Sequence, residues 1–270
     1  MKIIDAHLHF VREDEYFDGI AAAAGHINSE EHLREQFDSL DVVCGIVMGN
    51  RGLELEDHRY PEFLRYCIGL DSGYLADKSV TESLDLIEKH LRKDQCVGIK
   101  LYPGYCPAFI TDPAYEPVYE LAEQYGKAVA VHTGATAGSN ALLKYSHPLT
   151  LDEAAVLHPR VQFVMCHFGN PWLMDAAAVL EKNENVAADL SGLLEGRVDV
   201  DAFFLEKSGY TQQLSAWLGY LHEYDRVMFG TDWPLVNLSE YQRFIRRIVP
   251  EKYYEKVFFE NAKKIYKLNA

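Results

Sequence analysis

Residues 3–9 read IIDAHLH, an apolar run that carries Asp5, His7 and His9 at alternate positions. The run is too short for a helix and too apolar for a loop, so it reads as a buried strand. Side chains alternate along a strand, which places Asp5, His7 and His9 on one face. Runs of the same kind recur at 42–49, 66–71, 97–102, 128–133, 162–168, 186–190 and 227–232. Most are rich in Val and Ile and nearly continuous in hydrophobicity, as in strands of a parallel sheet covered on both faces.

Helical patterns separate the runs. Residues 29–40 open on Ser29 and space Leu33, Phe37 and Leu40 at helical intervals. Residues 81–92 do the same with Leu84, Ile87 and Leu91, and 114–125 end at Gly126, a residue suited to a left-handed helix stop. Further helices are expected at 149–157, 171–180, 203–224, 240–248 and 254–268, with only a short one in 51–63. The aromatic helix at 254–268 packs either on the barrel or on a neighbouring copy. Segments 11–28 and 192–202 read as loops. Strand–helix alternation with right-handed crossovers gives a parallel sheet. Eight units in 270 residues favour a closed (β/α)₈ TIM barrel, an α/β fold, as one domain over residues 1–270. No GxGxxG follows the first run, which removes the signature of a dinucleotide-binding open sheet.

Composition narrows the function. The formal net charge is −15, which opposes contact with a phosphate backbone, so no nucleic-acid partner is expected. No segment approaches the roughly 20 apolar residues of a membrane span, and the start lacks the apolar core of a secretory signal. A cytoplasmic protein with no membrane partner is the expectation. The five cysteines form no CxxC pair and read as buried free thiols.

Of eleven histidines, His7, His9, His132 and His167 fall at the C-terminal ends of expected strands, and so does Asp232. In a (β/α)₈ barrel that end builds the active site. Two imidazoles on one strand face are natural ligands for a borderline divalent cation such as zinc. A divalent metal, zinc first, is expected on His7, His9, His132 and Asp232. Ala128 and Ala130 share the face of His132 and leave room inside the barrel. His26, His32, His58, His90, His147, His158 and His222 fall in expected loops or helices and read as surface or capping residues. Tyr102, Trp172 and Trp233 are candidate substrate contacts, the two tryptophans standing equally for packing of their loops.

The pieces IIDAHLH, GIKLYPG, VAVHTG, MCHFGNPW and MFGTDWP, in this order, resemble the amidohydrolase superfamily. Within it they resemble the amidohydrolase-related branch that includes aminocarboxymuconate-semialdehyde decarboxylase, related decarboxylases and many lactone and ester hydrolases. The resemblance implies that His7 and His9 bind the first metal with Asp232. In a mononuclear site His132 completes the set, and His167 stays free to polarise substrate or move protons. GIKLYPG also resembles the strand-4 motif of dihydroorotases, where the lysine is carbamylated and bridges two metals. Lys100 and His167 then join a binuclear site. Otherwise Lys100 pairs with a substrate carboxylate, with Asp5, or in a structural salt bridge.

The expected activity is metal-dependent hydrolysis of a small ester, lactone or amide, with Asp232, His167 and Lys100 as the catalytic set. Non-oxidative decarboxylation of an aromatic or unsaturated acid is the alternative, and an inactive barrel serving as a binding protein the third. The partner in either enzymatic case is a small-molecule substrate, with a homo-oligomer left open.

Overall fold

The computed structural model describes residues 1–70 and 80–269. Eight strands lie in chain order around one parallel sheet: β1 Ile3–Leu8, β2 Val42–Met48, β3 Leu64–Leu70, β4 Cys96–Leu101, β5 Ala128–Val131, β6 Phe163–Met165, β7 Val186–Asp189 and β8 Val227–Met228. The ten α-helices among the described residues are α1 Glu15–Ala23, α2 Glu30–Ser39, α3 Val80–Leu91, α4 Glu116–Tyr125, α5 Leu149–Leu157, α6 Leu173–Lys182, α7 Val200–Glu206, α8 Ser208–Tyr220, α9 Leu238–Ile248 and α10 Asn261–Ile265. This is the expected (β/α)₈ barrel. No helix among the described residues is long and apolar enough to cross a membrane.

The sheet closes between β1 and β8. The Ala6 N–H donates to Phe229 O at 2.9 Å, the Asp232 N–H to His7 O at 2.8 Å and the His9 N–H to Trp233 O at 2.7 Å. Asp5 pins the same seam. It accepts from the Thr231 N–H at 3.0 Å and the Thr231 hydroxyl at 2.6 Å. The expectation that Asp5 shares a face with His7 is therefore corrected. Asp5 pairs with Gly45 and Leu8 with Val47, so the register shifts between them, with one more residue on β1 than on β2. This bulge re-aims the strand between Asp5 and His7.

Two cores result. Outside the strands, Leu8, Val47, Ile68, Ile99 and Val129 meet helix residues such as Leu33, Phe37, Ile87 and Val118. Inside, the small residues Ala6, Cys67, Ala128, Ala130 and Ala187 form a second cluster, plugged by Ala262, Ile265, Tyr266 and Leu268. Of the two expected placements, the C-terminal segment thus takes the one on its own barrel. All five cysteines are buried and none forms a disulfide.

Local signals explain most helices. Ser29 caps α2, Gly126 stops α4 at φ 59°, and Asn237 caps α9. On α9, Leu238, Tyr241, Phe244, Ile245 and Ile248 bury one stripe. Segment 11–28 is not a loop throughout, because it holds α1. That helix is capped by Asp14 but buries only Ala21, so it shows no apolar period. The helix expected at 203–224 is two, α7 and α8, and begins earlier, at Asp199, which accepts from two backbone N–H groups. In 51–63 only a 3₁₀ turn, Leu55–Asp57, forms. The expected end of the third strand, Asp71, lies outside the described residues.

His26, His58 and His90 are buried rather than surface residues. The His90 Nδ1 accepts from the Tyr66 hydroxyl at 2.8 Å, and its Nε2–H donates to Leu53 O at 2.9 Å. His26 Nε2 accepts the Leu238 N–H at 3.1 Å, at the first turn of α9. The two bonds in which a ring nitrogen accepts need a neutral ring, and burial pushes both imidazoles down to about 4. An unfolded histidine titrates near about 6.5, so below that pH the unfolded chain binds more protons than the folded one. The contribution of these two histidines to stability should therefore be level above pH ~7 and fall as pH drops from about 6.5 toward 4. Calorimetric melting across this window checks it. His90→Gln should make the slope shallower, and an unchanged slope would remove His90 as a source.

Candidate active site

The seam strands carry the densest chemistry. His7, at the end of β1, donates its Nδ1–H to Asp189 Oδ2 at 2.9 Å. His9 donates its Nδ1–H to the Met48 carbonyl at 3.0 Å. Both rings therefore present a bare Nε2, and both Nε2 atoms lie 3.3 Å from Asp232 Oδ1. His7 Nε2 and Asp232 Oδ1 are buried without a hydrogen-bond donor. Three lone-pair atoms meeting in the interior repel unless a positive charge sits among them. His7, His9 and Asp232 offer ligand atoms that all lie within 4.8 Å of one another. A divalent cation fits this donor set in number and type.

The electrostatics have the same origin. Burial opposes charge on His7, yet the Asp189 carboxylate beside it raises the imidazole well above its ordinary range. Burial likewise opposes charge on Asp232, but His7 and His9 hold its carboxyl well below the usual range. Without a cation the cluster draws protons instead.

His132 and His167 form a second pair. His132 Nε2–H donates to Ala135 O at 3.1 Å, and its Nδ1 faces His167 Nε2 at 3.2 Å. Burial pushes His132 well below its ordinary range and His167 down to about 4. Of the four expected ligands, the structure thus brings three together and sets His132 beside His167. Asp232 and His167 share a further property. Their φ values are 63° and 62°, in the left-handed region that non-glycine residues rarely adopt. His167 consequently sits not on a strand end but in a turn, Cys166–Gly169, that directly follows β6.

Lys100 is fully buried on β4. Its Nζ donates to Cys166 Sγ at 2.9 Å and lies 5.3 Å from the Tyr102 ring centre. Among the described residues it makes no ion pair, and Asp5 is committed to the seam. The Asp5 pair therefore falls away, and no structural salt bridge to Lys100 occurs among the described residues.

Above these groups opens a cavity of about 570 Å³, lined largely by apolar surface. His9, Lys100, Tyr102, His132, His167 and Asp232 all border it, with Tyr16, Asn50 and Tyr105 on the walls. Tyr102 therefore stands where a substrate contact was expected. Its hydroxyl is committed to Gly49 O at 2.7 Å, which leaves the ring as the contacting surface. Trp172 and Trp233 do not border it. Trp233 is fully buried, with its ring centre 4.6 Å from that of His26, and Trp172 packs on His147 at 4.8 Å. Both take the packing role. Asp189, Ser191, Tyr105 and Asn50 escaped sequence reading. Asp189 alone left a signal there, a carboxylate near the end of the seventh apolar run.

A profile of the amidohydrolase family matches residues 4–268. The chain belongs to the amidohydrolase family. A search of curated proteins finds no significant match. Among solved structures, the chain is similar to an amidohydrolase from Burkholderia multivorans with bound zinc, at 16% identity and TM-score 0.71 over 99% of this chain and 100% of that one. A 2,6-dihydroxybenzoate decarboxylase from Rhizobium aligns at 16% identity and TM-score 0.67, with 100% of both chains covered. A probable 2-pyrone-4,6-dicarboxylic acid hydrolase from Acinetobacter baumannii aligns at 15% identity and TM-score 0.64, over 99% and 100%. At such identities these likenesses show the fold alone. Hydrolases and decarboxylases both occur among these neighbours, on one barrel.

Metal uptake is directly measurable. Zinc at about 100 times its Kd should stabilise the folded protein by about 2.7 kcal/mol, read as a rise in melting temperature. His7→Ala and Asp232→Asn should each abolish the rise and the bound metal found by elemental analysis, while circular dichroism stays native. A wild-type protein that takes up no divalent ion would remove the centre.

Proposed function

We propose that the chain is a metal-dependent hydrolase of a small ester, lactone or amide. The observation that carries this reading is the meeting of His7 Nε2, His9 Nε2 and Asp232 Oδ1 at the floor of an otherwise largely apolar cavity. A divalent cation, zinc first, would supply polarisation of a carbonyl and a lowered pKa of a bound water. His7, His9 and Asp232 would hold it, with His132 as the fourth ligand. Asp232 Oδ2 is the base that takes the proton from the attacking water and returns it to the leaving group. His167 stands at the same floor and takes part in the proton traffic. Tyr102 and Tyr105 form aromatic walls that suit a flat, compact substrate and exclude bulk water.

Decarboxylation is the second reading, and Lys100 is what favours it. Buried Lys100, which has no carboxylate partner among the described residues, has donors to offer a substrate carboxylate. The same lack of a charged partner suits a carbamate on Lys100 and a second metal. In the hydrolytic reading with one metal, Lys100 serves orientation, not chemistry.

Product analysis on a panel of lactones, esters, cyclic amides and aromatic carboxylic acids separates the readings. Acid release without carbon dioxide is expected, and carbon dioxide from a carboxylated aromatic would replace hydrolysis by decarboxylation. On the substrate so found, Asp232→Asn should abolish turnover, because it removes a metal ligand together with the general base. Lys100→Ala should leave metal stoichiometry at one per chain. A fall from two to one would establish the binuclear form.

A further inference from the structure

Strand β7 ends on a carboxylate that touches both histidine pairs. Asp189 is fully buried and its two oxygens serve different partners. Oδ2 accepts from His7 Nδ1 at 2.9 Å. Oδ1 accepts from the Ser191 hydroxyl at 2.5 Å, the Ser191 N–H at 3.1 Å and the His167 N–H at 3.0 Å. An ionised carboxylate only accepts, so the single hydroxyl hydrogen of Ser191 is committed to it. The Ser191 oxygen lies 2.8 Å from His167 Nδ1 and can meet it only as an acceptor. The Ser191 carbonyl, 3.3 Å from the same nitrogen, accepts as well. Two acceptors on Nδ1 require a hydrogen there. The neutral ring then leaves Nε2 bare, 3.2 Å from His132 Nδ1. That nitrogen is bare as well, because the His132 hydrogen points to Ala135 O. A proton or cation shared by the two nitrogens would relieve that opposition, whereas a direct bond between them would need the opposite His167 tautomer.

The backbone enforces the approach. Gly192 has φ 63°, and a Cβ on it would lie 2.8 Å from His167 Nδ1 and 3.2 Å from Asp232 Oδ2. Only a glycine lets this turn pass so close to both side chains.

We propose that Ser191, backed by Asp189, is a positioning residue that fixes the tautomer of His167 and so determines that this histidine enters the reaction as a proton acceptor at Nε2. A neutral His167 in this tautomer cannot donate to an oxyanion. It can only take up at Nε2 the proton that Asp232 draws from the attacking water, and release it from the same atom on its way to the leaving group. While both ring nitrogens carry hydrogen, the Nδ1–H stays on Ser191 and the Asp189 charge faces the ring through one hydroxyl. One carboxylate thus aims two imidazoles, His7 toward the cation and His167 toward the substrate. The part about proton traffic rests on the hydrolytic reading, whereas the tautomer does not.

The test needs no substrate. Two-bond proton–nitrogen correlation spectra of uniformly ¹⁵N-labelled full-length protein report each imidazole tautomer, and His167→Gln assigns the His167 signals. The zinc-free and zinc-loaded wild type should both show His167 with hydrogen on Nδ1. Ser191→Ala should release that preference, with zinc affinity held within about threefold, and Ser191→Thr should restore it. Asp189→Asn should disturb both His7 and His167 and weaken zinc by about 10–100-fold, as expected for loss of the carboxylate behind a ligand. Hydrogen on Nε2 in the wild type, or an unchanged tautomer in Ser191→Ala, overturns the proposal, and the wild-type spectrum decides it even if a variant fails to fold. Once a substrate is known, Ser191→Ala should lower kcat roughly tenfold or more with KM unchanged and Ser191→Thr should recover it. A correct tautomer without hydrolysis would sink the reaction but leave the positioning intact.

Discussion

Closing the barrel between β1 and β8 is the constraint on which the site depends. His7 and His9 stand on one side of that seam and Asp232 on the other, so the donor set exists only when the two strands pair. Yet β8 is two residues long, too short to hold a ladder by itself. The seam is completed by single bonds beyond it, from Asp232 N–H to His7 O and from His9 N–H to Trp233 O. Asp5 adds a carboxylate that grips Thr231 by both backbone and hydroxyl. Burial pushes Asp5 up to about 7, against these bonds, so the seam carries a group held in tension between desolvation and its donors. Fold closure and ligand assembly are here one event.

The backbone strain follows from the same geometry. Asp232, His167 and Phe168 all occupy left-handed φ values. Such residues cost of order 1–3 kcal/mol each and persist only where the surroundings over-determine them. Each is over-determined here. The Asp232 N–H is bound to His7 O, and the His167 N–H to Asp189 Oδ1. Phe168 is fully buried in the outer core. A relaxed strand continuing past Met165 would carry His167 along the sheet instead of turning it toward His132.

This bears on how much was legible in the sequence. The strands were, because a parallel barrel buries both faces and leaves continuous apolar runs. The chemistry at their ends was too, because His7, His9, His132 and Asp232 interrupt apolar runs where only a paired polar group is tolerated. What escaped depends on geometry that periodicity does not encode. The bulge at Ala6–His7 separates Asp5 from the histidines, though strict alternation joins them. α1 forms from a cap and local propensity without an apolar stripe. Ser191 and Gly192 lie just past a strand and gain meaning only from the His167 ring that folds back onto them. Lys100 was legible as a lysine of the strand-4 motif but its contact was not, since Cys166 comes from the turn after β6, two strands away.

The charges at the floor explain why these pieces belong together. Asp189 and Asp232 are both carboxylates of the interior, and among the described residues Lys100 is the one lysine or arginine that borders the cavity. An unpaired carboxylate in the interior is among the costliest groups a protein can hold. Asp189 meets that cost with four donated hydrogens, drawn from His7, His167 and Ser191. Asp232 Oδ1 has none, and faces two bare nitrogens. The floor is thus divided into a satisfied carboxylate that orients and an unsatisfied one that binds. A dication at the second would reverse the local sign, and with Lys100 nearby would turn an acidic protein's interior into a place where an oxyanion or a carboxylate is welcome. That reversal suits hydrolysis and decarboxylation equally, which is why the metal centre follows from the residues more directly than the bond it acts on.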